Sequence, residues 1–85
     1  MPRLQFLEMI YGLTAWIYFK DHGRAHVHIY KGNPKHHEAM MKVEISSWRI
    51  LELSGFSEST ANRVLRYLQQ HEQEILEVWH EIQKK

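Results

Sequence analysis

The hydrophobic period of this chain changes once, at Gly55, and that change limits what the chain can fold into. Ahead of Gly55, apolar and polar residues alternate, as on a β-strand with one covered face. After it, apolar residues recur every third or fourth position, as on an amphipathic helix. A chain of 85 residues supports one core, so residues 1–85 read as a single domain. The expected fold is α+β, with three or four mainly antiparallel strands followed by a long C-terminal amphipathic helix packed on one sheet face.

The strand half divides at its turn residues. Met9 to Phe19 is rich in aromatic and β-branched residues, with Leu13, Ala15, Ile17 and Phe19 on one face and Thr14, Trp16 and Tyr18 on the other. Lys20-Asp21-His22-Gly23 is turn chemistry, because Asp bonds its own backbone and Gly accepts positive φ. Ala25 to Tyr30 then alternates again, placing His26, His28 and Tyr30 together and Val27 and Ile29 opposite them. Gly32-Asn33-Pro34 breaks this strand; Met41, Val43 and Ile45 mark a third, and Trp48 to Leu53 a fourth.

In the helical half, Ser57 is the expected N-cap, with Glu58 in the first turn where the helix dipole favours a negative charge. Ala61, Val64, Leu65, Leu68, Ile75, Leu76, Trp79 and Ile82 form one stripe, and no glycine or proline follows Gly55. A continuous helix to Lys85 would be roughly 40 Å long, more than the width of so small a domain. It therefore either bends near Gln69 to Glu72 or projects past the sheet. A projecting end carrying Trp79 and Ile82 would need cover, which makes the C-terminal helix the expected contact for a protein partner or a homo-oligomer. Leu53 to Leu65 also has the look of the turn and second helix of a helix-turn-helix, with Ser57, Ser59, Thr60 and Asn62 toward DNA. That motif needs a preceding helix, whereas Trp48 to Leu53 reads as strand.

The chain has no cysteine, which removes disulfides, thiolate metal sites and cysteine nucleophiles and fits a reducing compartment. No apolar run is long enough for a signal peptide or a membrane span, so the expected setting is cytoplasmic, with no membrane contact. A formal net charge of +1 does not announce nucleic-acid binding; any such contact must come from local clustering.

Seven histidines stand against this plain background, and the densest group is Asp21-His22-Gly23-Arg24-Ala25-His26-Val27-His28. Histidines at i and i+2 on a strand share a face, where they can ligate a metal, exchange protons, contact phosphate, or simply cover a wet sheet edge. For a divalent metal, the candidate cofactor, the candidate ligands are His22, His26, His28, His71 and Asp21. For ribonuclease chemistry, His26 and His28 would be acid and base, with Lys20, Arg24 or Lys31 as the cation for the developing phosphorane charge. His36-His37 and His80 read as solvated surface.

Several of these residues recur in a recognisable order: Tyr11-Gly12, Ile17-Tyr18-Phe19, Asp21-His22, His26-x-His28 with Tyr30, then Leu68, His71, Ile75-Leu76 and Trp79. From about Ile10 to Trp79 the chain thereby resembles a small prokaryotic family, the domain of unknown function DUF4160. Its pattern runs through a Phe-Tyr-Gly, a Met-Tyr-Phe strand, an Asp-His-x-Pro-Pro-His-Phe-His segment and a C-terminal helix with a His and a late Trp. The resemblance implies a small α+β domain, often encoded beside another small protein in a toxin-antitoxin-like arrangement, and it implies no chemistry. This chain departs from the pattern at Arg24-Ala25, where the family has two prolines. The turn ahead of the histidines therefore lacks the stiffening that proline's fixed φ supplies, and Arg24 belongs to this protein rather than to the family pattern.

These observations lead to a small cytoplasmic interaction protein, one member of a toxin-antitoxin-like pair, acting through a protein partner, with RNA as a further candidate. A histidine-based ribonuclease toxin and a histidine-ligated metal module stand open beside it, as does a helix-turn-helix DNA binder. The residues leave open whether the chain is an enzyme.

Overall fold

A computed structural model describes residues 3–4, 12–17 and 25–83. Strands β1 (Arg3–Leu4), β2 (Leu13–Trp16), β3 (His26–Gly32), β4 (His37–Glu44) and β5 (Ile50–Ser54) form one sheet in the order β1-β2-β3-β4-β5, each antiparallel to its neighbour. Helices α1 (Glu58–Gln70) and α2 (Glu72–Gln83) follow. The architecture is α+β. Of the three or four strands expected from alternation, all four form, as β2 to β5. The edge strand β1 adds two residues, too few to carry a period.

The register sorts the side chains by face. Leu13, Ala15, Val27, Ile29, Met41 and Val43 are all buried, and the pairs Ala15 with Ile29, Ile29 with Met41 and Val27 with Val43 stack them across the sheet. Each large apolar side chain removed from water in this way is worth about 1.5–3 kcal/mol. The buried residues of the helices, Ala61, Val64, Leu68, Ile75, Trp79 and Ile82, join the same hydrophobic cluster. The helical stripe expected from the sequence is therefore the helices' buried side. Leu51 and Leu53, on the outer strand β5, stay 40% and 45% exposed.

Turn chemistry explains where the strands end. Between β3 and β4, Asn33 Oδ1 accepts from the backbone N–H groups of Lys35 and His36 at 2.9 and 2.8 Å, closing the hairpin. Between β4 and β5, Ser46 and Trp48 both take positive φ, at 80° and 59°. This turn is held by Trp48 N–H to Glu44 O at 3.0 Å and by the Ser47 hydroxyl on the Glu44 carboxylate. Trp48 thus belongs to a strained turn, and the last strand begins at Ile50 rather than at Trp48. Gly55, where the period changes, has φ of 81°, and a Cβ there would lie 2.6 Å from the Glu38 carbonyl oxygen. No other residue fits that approach without displacing β4.

Ser57 caps α1 as expected, its hydroxyl accepting from Thr60 N–H at 3.1 Å. The long helix breaks at His71, inside the window the length argument gave. His71 leaves helical geometry at φ −113°, ψ 20°, and its N–H turns back to Leu68 O at 3.0 Å. The domain extends 34 × 26 × 23 Å, so an unbroken helix of roughly 40 Å would have overshot it. The broken helix instead returns Trp79 and Ile82 to the core, at 6% and 8% exposure. A partner approaching α2 would meet its exposed carboxylates, not these two side chains. The segment directly ahead of α1, residues 50–54, is a strand where a helix-turn-helix requires a helix, so that motif is not formed. No helix among the described residues is long and apolar enough to cross a membrane.

Candidate functional site

The face of β3 opposite Val27 and Ile29 carries His26, His28 and Tyr30, as alternation requires. Strand pairing then supplies their neighbours. Glu44 lies opposite His26, Trp16 and Lys42 flank His28, and Thr14 and Met40 flank Tyr30. His26, Tyr30 and Glu44 are buried at 6%, 7% and 8% exposure, while His28, Trp16 and Lys42 are half-buried.

The rings on this face form a continuous row. The Trp79 indole of α2 meets His26 at a centroid distance of 5.2 Å, and His26 meets His28 at 5.3 Å, edge to face. His28 stacks on Tyr30 at 6.4 Å with 15° between planes, and Tyr30 meets His37 of β4 at 4.8 Å. Such ring pairs add about 0.5–1.5 kcal/mol beyond their buried area. The row runs from the core at Trp79 to the exposed His37, so it links helix α2 to the β3–β4 hairpin.

Hydrogen bonds hold the flanks. The Trp16 indole N–H donates to Thr14 Oγ1 at 2.8 Å, and the Thr14 hydroxyl donates to Gly32 O at 3.0 Å. His37 Nδ1 lies 3.2 Å from Asn33 O. A carbonyl only accepts, so Nδ1 carries the proton of that bond and the neutral ring keeps its lone pair on Nε2. Beside His37, Lys31 pairs with Glu38 at 3.3 Å, and Gly32, Lys35 and His36 complete a shallow groove at the hairpin end.

Of the residues singled out from the sequence, His26 and His28 are brought together on one face. Asp21, His22 and Arg24 lie outside the described residues. His71 sits at the α1–α2 junction, its ring 4.6 Å from that of Tyr67 and its Nδ1 3.2 Å from Glu74 Oε1. Among the described residues, no three His, Asp or Glu side chains gather into a group able to hold a metal, so His26, His28 and His71 make no such group. His36, His37 and His80 are exposed, as read from the sequence. Glu44, Lys42, Trp16 and the contact of Trp79 with His26 were not foreseen. All four depend on strand register or helix docking, and only an assumed hairpin register could have suggested the first three.

Sheet, ring row and broken helix together define a small α+β domain, whose described residues form a five-strand antiparallel meander and two C-terminal helices. A family model, Domain of unknown function (DUF4160), matches residues 12–80, and the chain belongs to that family. No curated protein and no solved structure matches it.

Proposed function

We propose that this protein is a cytoplasmic binding module, one member of a toxin-antitoxin-like pair, which engages a partner protein through the open end of its ring row. The observation that carries this reading is the row itself. Its buried end is locked against Trp79, the half-buried His28 and buried Tyr30 continue it, and its other end, His37, is exposed. Rings that combine an apolar body with a polar handle are favoured at protein interfaces. The gene-pair arrangement that the family resemblance implies supplies the kind of partner, a small protein encoded alongside.

The test is co-purification with the neighbouring gene's product, followed by titration of the two purified proteins. The double variant His28→Ala, His37→Ala should weaken the complex at least tenfold, about 1.4 kcal/mol, while the circular dichroism spectrum is preserved. A wild-type protein that forms no complex, or a variant that binds as tightly, overturns the reading.

A second reading draws on Glu44 opposite His26 and Lys42 opposite His28. A carboxylate, two imidazoles and an ammonium on one face are the parts of metal-free RNA cleavage, with acid, base and cation supplied by this chain. Arg24 would add a second cation. Expression of the wild type should then arrest growth, and His26→Ala or His28→Ala should relieve the arrest. A protein that cleaves no RNA removes this reading. Divalent metal binding by His26 and His28 with His22 and Asp21, without His71, is tested by elemental analysis of untagged protein, in which stoichiometric metal should vanish in the His26→Ala, His28→Ala variant.

A further inference from the structure

The outer side of α1 carries a feature the ring row does not use. At about 3.6 residues per turn, Ser59, Asn62, Arg63, Arg66 and Gln70 fall opposite the buried Ala61, Val64 and Leu68, and all five are exposed. Two shallow grooves meet on this side. One is lined by Glu58, Ser59, Asn62, Arg63 and Arg66, the other by Arg63, Arg66, Tyr67 and Gln70, so both arginines belong to both grooves. Within the described structure, neither guanidinium has an ion pair or a hydrogen bond. Lys31, by contrast, is neutralised by Glu38.

We propose that this face of α1 binds the phosphodiester backbone of a single-stranded nucleic acid, with Arg63 and Arg66 as the phosphate contacts. Guanidinium groups recognise phosphate oxygens through paired N–H donors, and the two stand one turn apart, free to do so. Asn62, Ser59 and Gln70 add neutral donors on either side. The half-buried Tyr67, its ring packed against His71, lines the second groove beside the arginines. No exposed residue of α1 is apolar, which suits a polyanion, whereas a protein partner needs an apolar centre to its interface.

Helix α2 sets the boundary of the footprint. It bears Glu72, Glu74, Glu77 and Glu81 and no lysine or arginine, so it repels phosphate along its length. The strand therefore crosses α1 and does not follow the helices onward. This contact lies apart from the β3 ring row, so either proposal can fail without the other.

The experiment is fluorescence anisotropy of the full chain at low salt with a labelled oligouridylate, the matching oligothymidylate, and a duplex. Single strands should bind, and two phosphate contacts should weaken binding about 25-fold over a tenfold rise in salt. Equal binding of RNA and DNA supports phosphate recognition alone; binding of RNA only supports the site and assigns it to RNA. Arg63→Ala with Arg66→Ala should cost at least about tenfold at unchanged helicity, while Lys31→Gln with Lys35→Gln should change nothing. Glu74→Gln with Glu77→Gln should tighten binding severalfold. The proposal is overturned by absent binding, by tighter binding of the duplex, or by lysine variants as damaging as the arginine ones. It is also overturned if the arginine variant alters the mass of the protein in light scattering instead of nucleic-acid affinity, since the face would then be a contact between copies.

Discussion

The two faces of β3 come from one seven-residue strand, yet they differ in what a side chain there is for. On one face Val27 and Ile29 meet Val43, Met41 and Ala15, apolar against apolar, so any side chain of similar volume would serve. On the other, His26, His28 and Tyr30 meet Glu44, Lys42, Trp16 and Thr14, and polar atoms there must find partners. The first face stabilises by volume and the second by specific contact. Polar burial of that second kind contributes little net stability, so packing alone does not account for the residues there.

That contrast can be broken by substitution. Ile29→Ala empties space in the apolar face and should cost about 2–5 kcal/mol in chemical denaturation; a loss under about 1 kcal/mol would mean the face is not close-packed. Thr14→Val keeps the volume on the ring face but leaves the Trp16 indole N–H without its acceptor. It should cost about 1–3 kcal/mol, and a neutral result would show that water replaces the hydroxyl. Ser57→Ala lies on neither face, and loss of its cap should cost about 1 kcal/mol, a reference for what one hydrogen bond is worth here. Leu53→Thr probes where the apolar face ends. Leu53 sits opposite Met41 but is 45% exposed, so the change should stay within about 0.5 kcal/mol.

Much of the scaffold was readable from local pattern. The alternation around Val27 and Ile29, the helical stripe from Ala61 to Ile82, and the cap at Ser57 each depend on residues a few positions apart. The break at His71 was half readable: comparing helix length with domain width located the window, while Tyr67 and Glu74 around His71 came only with the fold. The candidate site divides in the same way. That His26 and His28 share a face follows from a period of two, but nothing local says that Glu44 stands opposite one and Lys42 opposite the other. The bulge that leaves Leu51 unmatched between Lys42 and Val43 was equally hidden, since its cause lies in two strands at once.

Side-chain pattern alone was enough to establish a sheet followed by helix, the apolar side of β2, β3, β4 and the helices, and a break in structure at Gly55. Those properties come from backbone sterics and hydrophobic period, which act over a few residues. The ring row from Trp79 to His37, the carboxylate beside His26 and the return of Trp79 and Ile82 to the core required the folded chain. They join residues far apart in sequence, and such contacts are set by strand register and helix docking, which no single segment encodes.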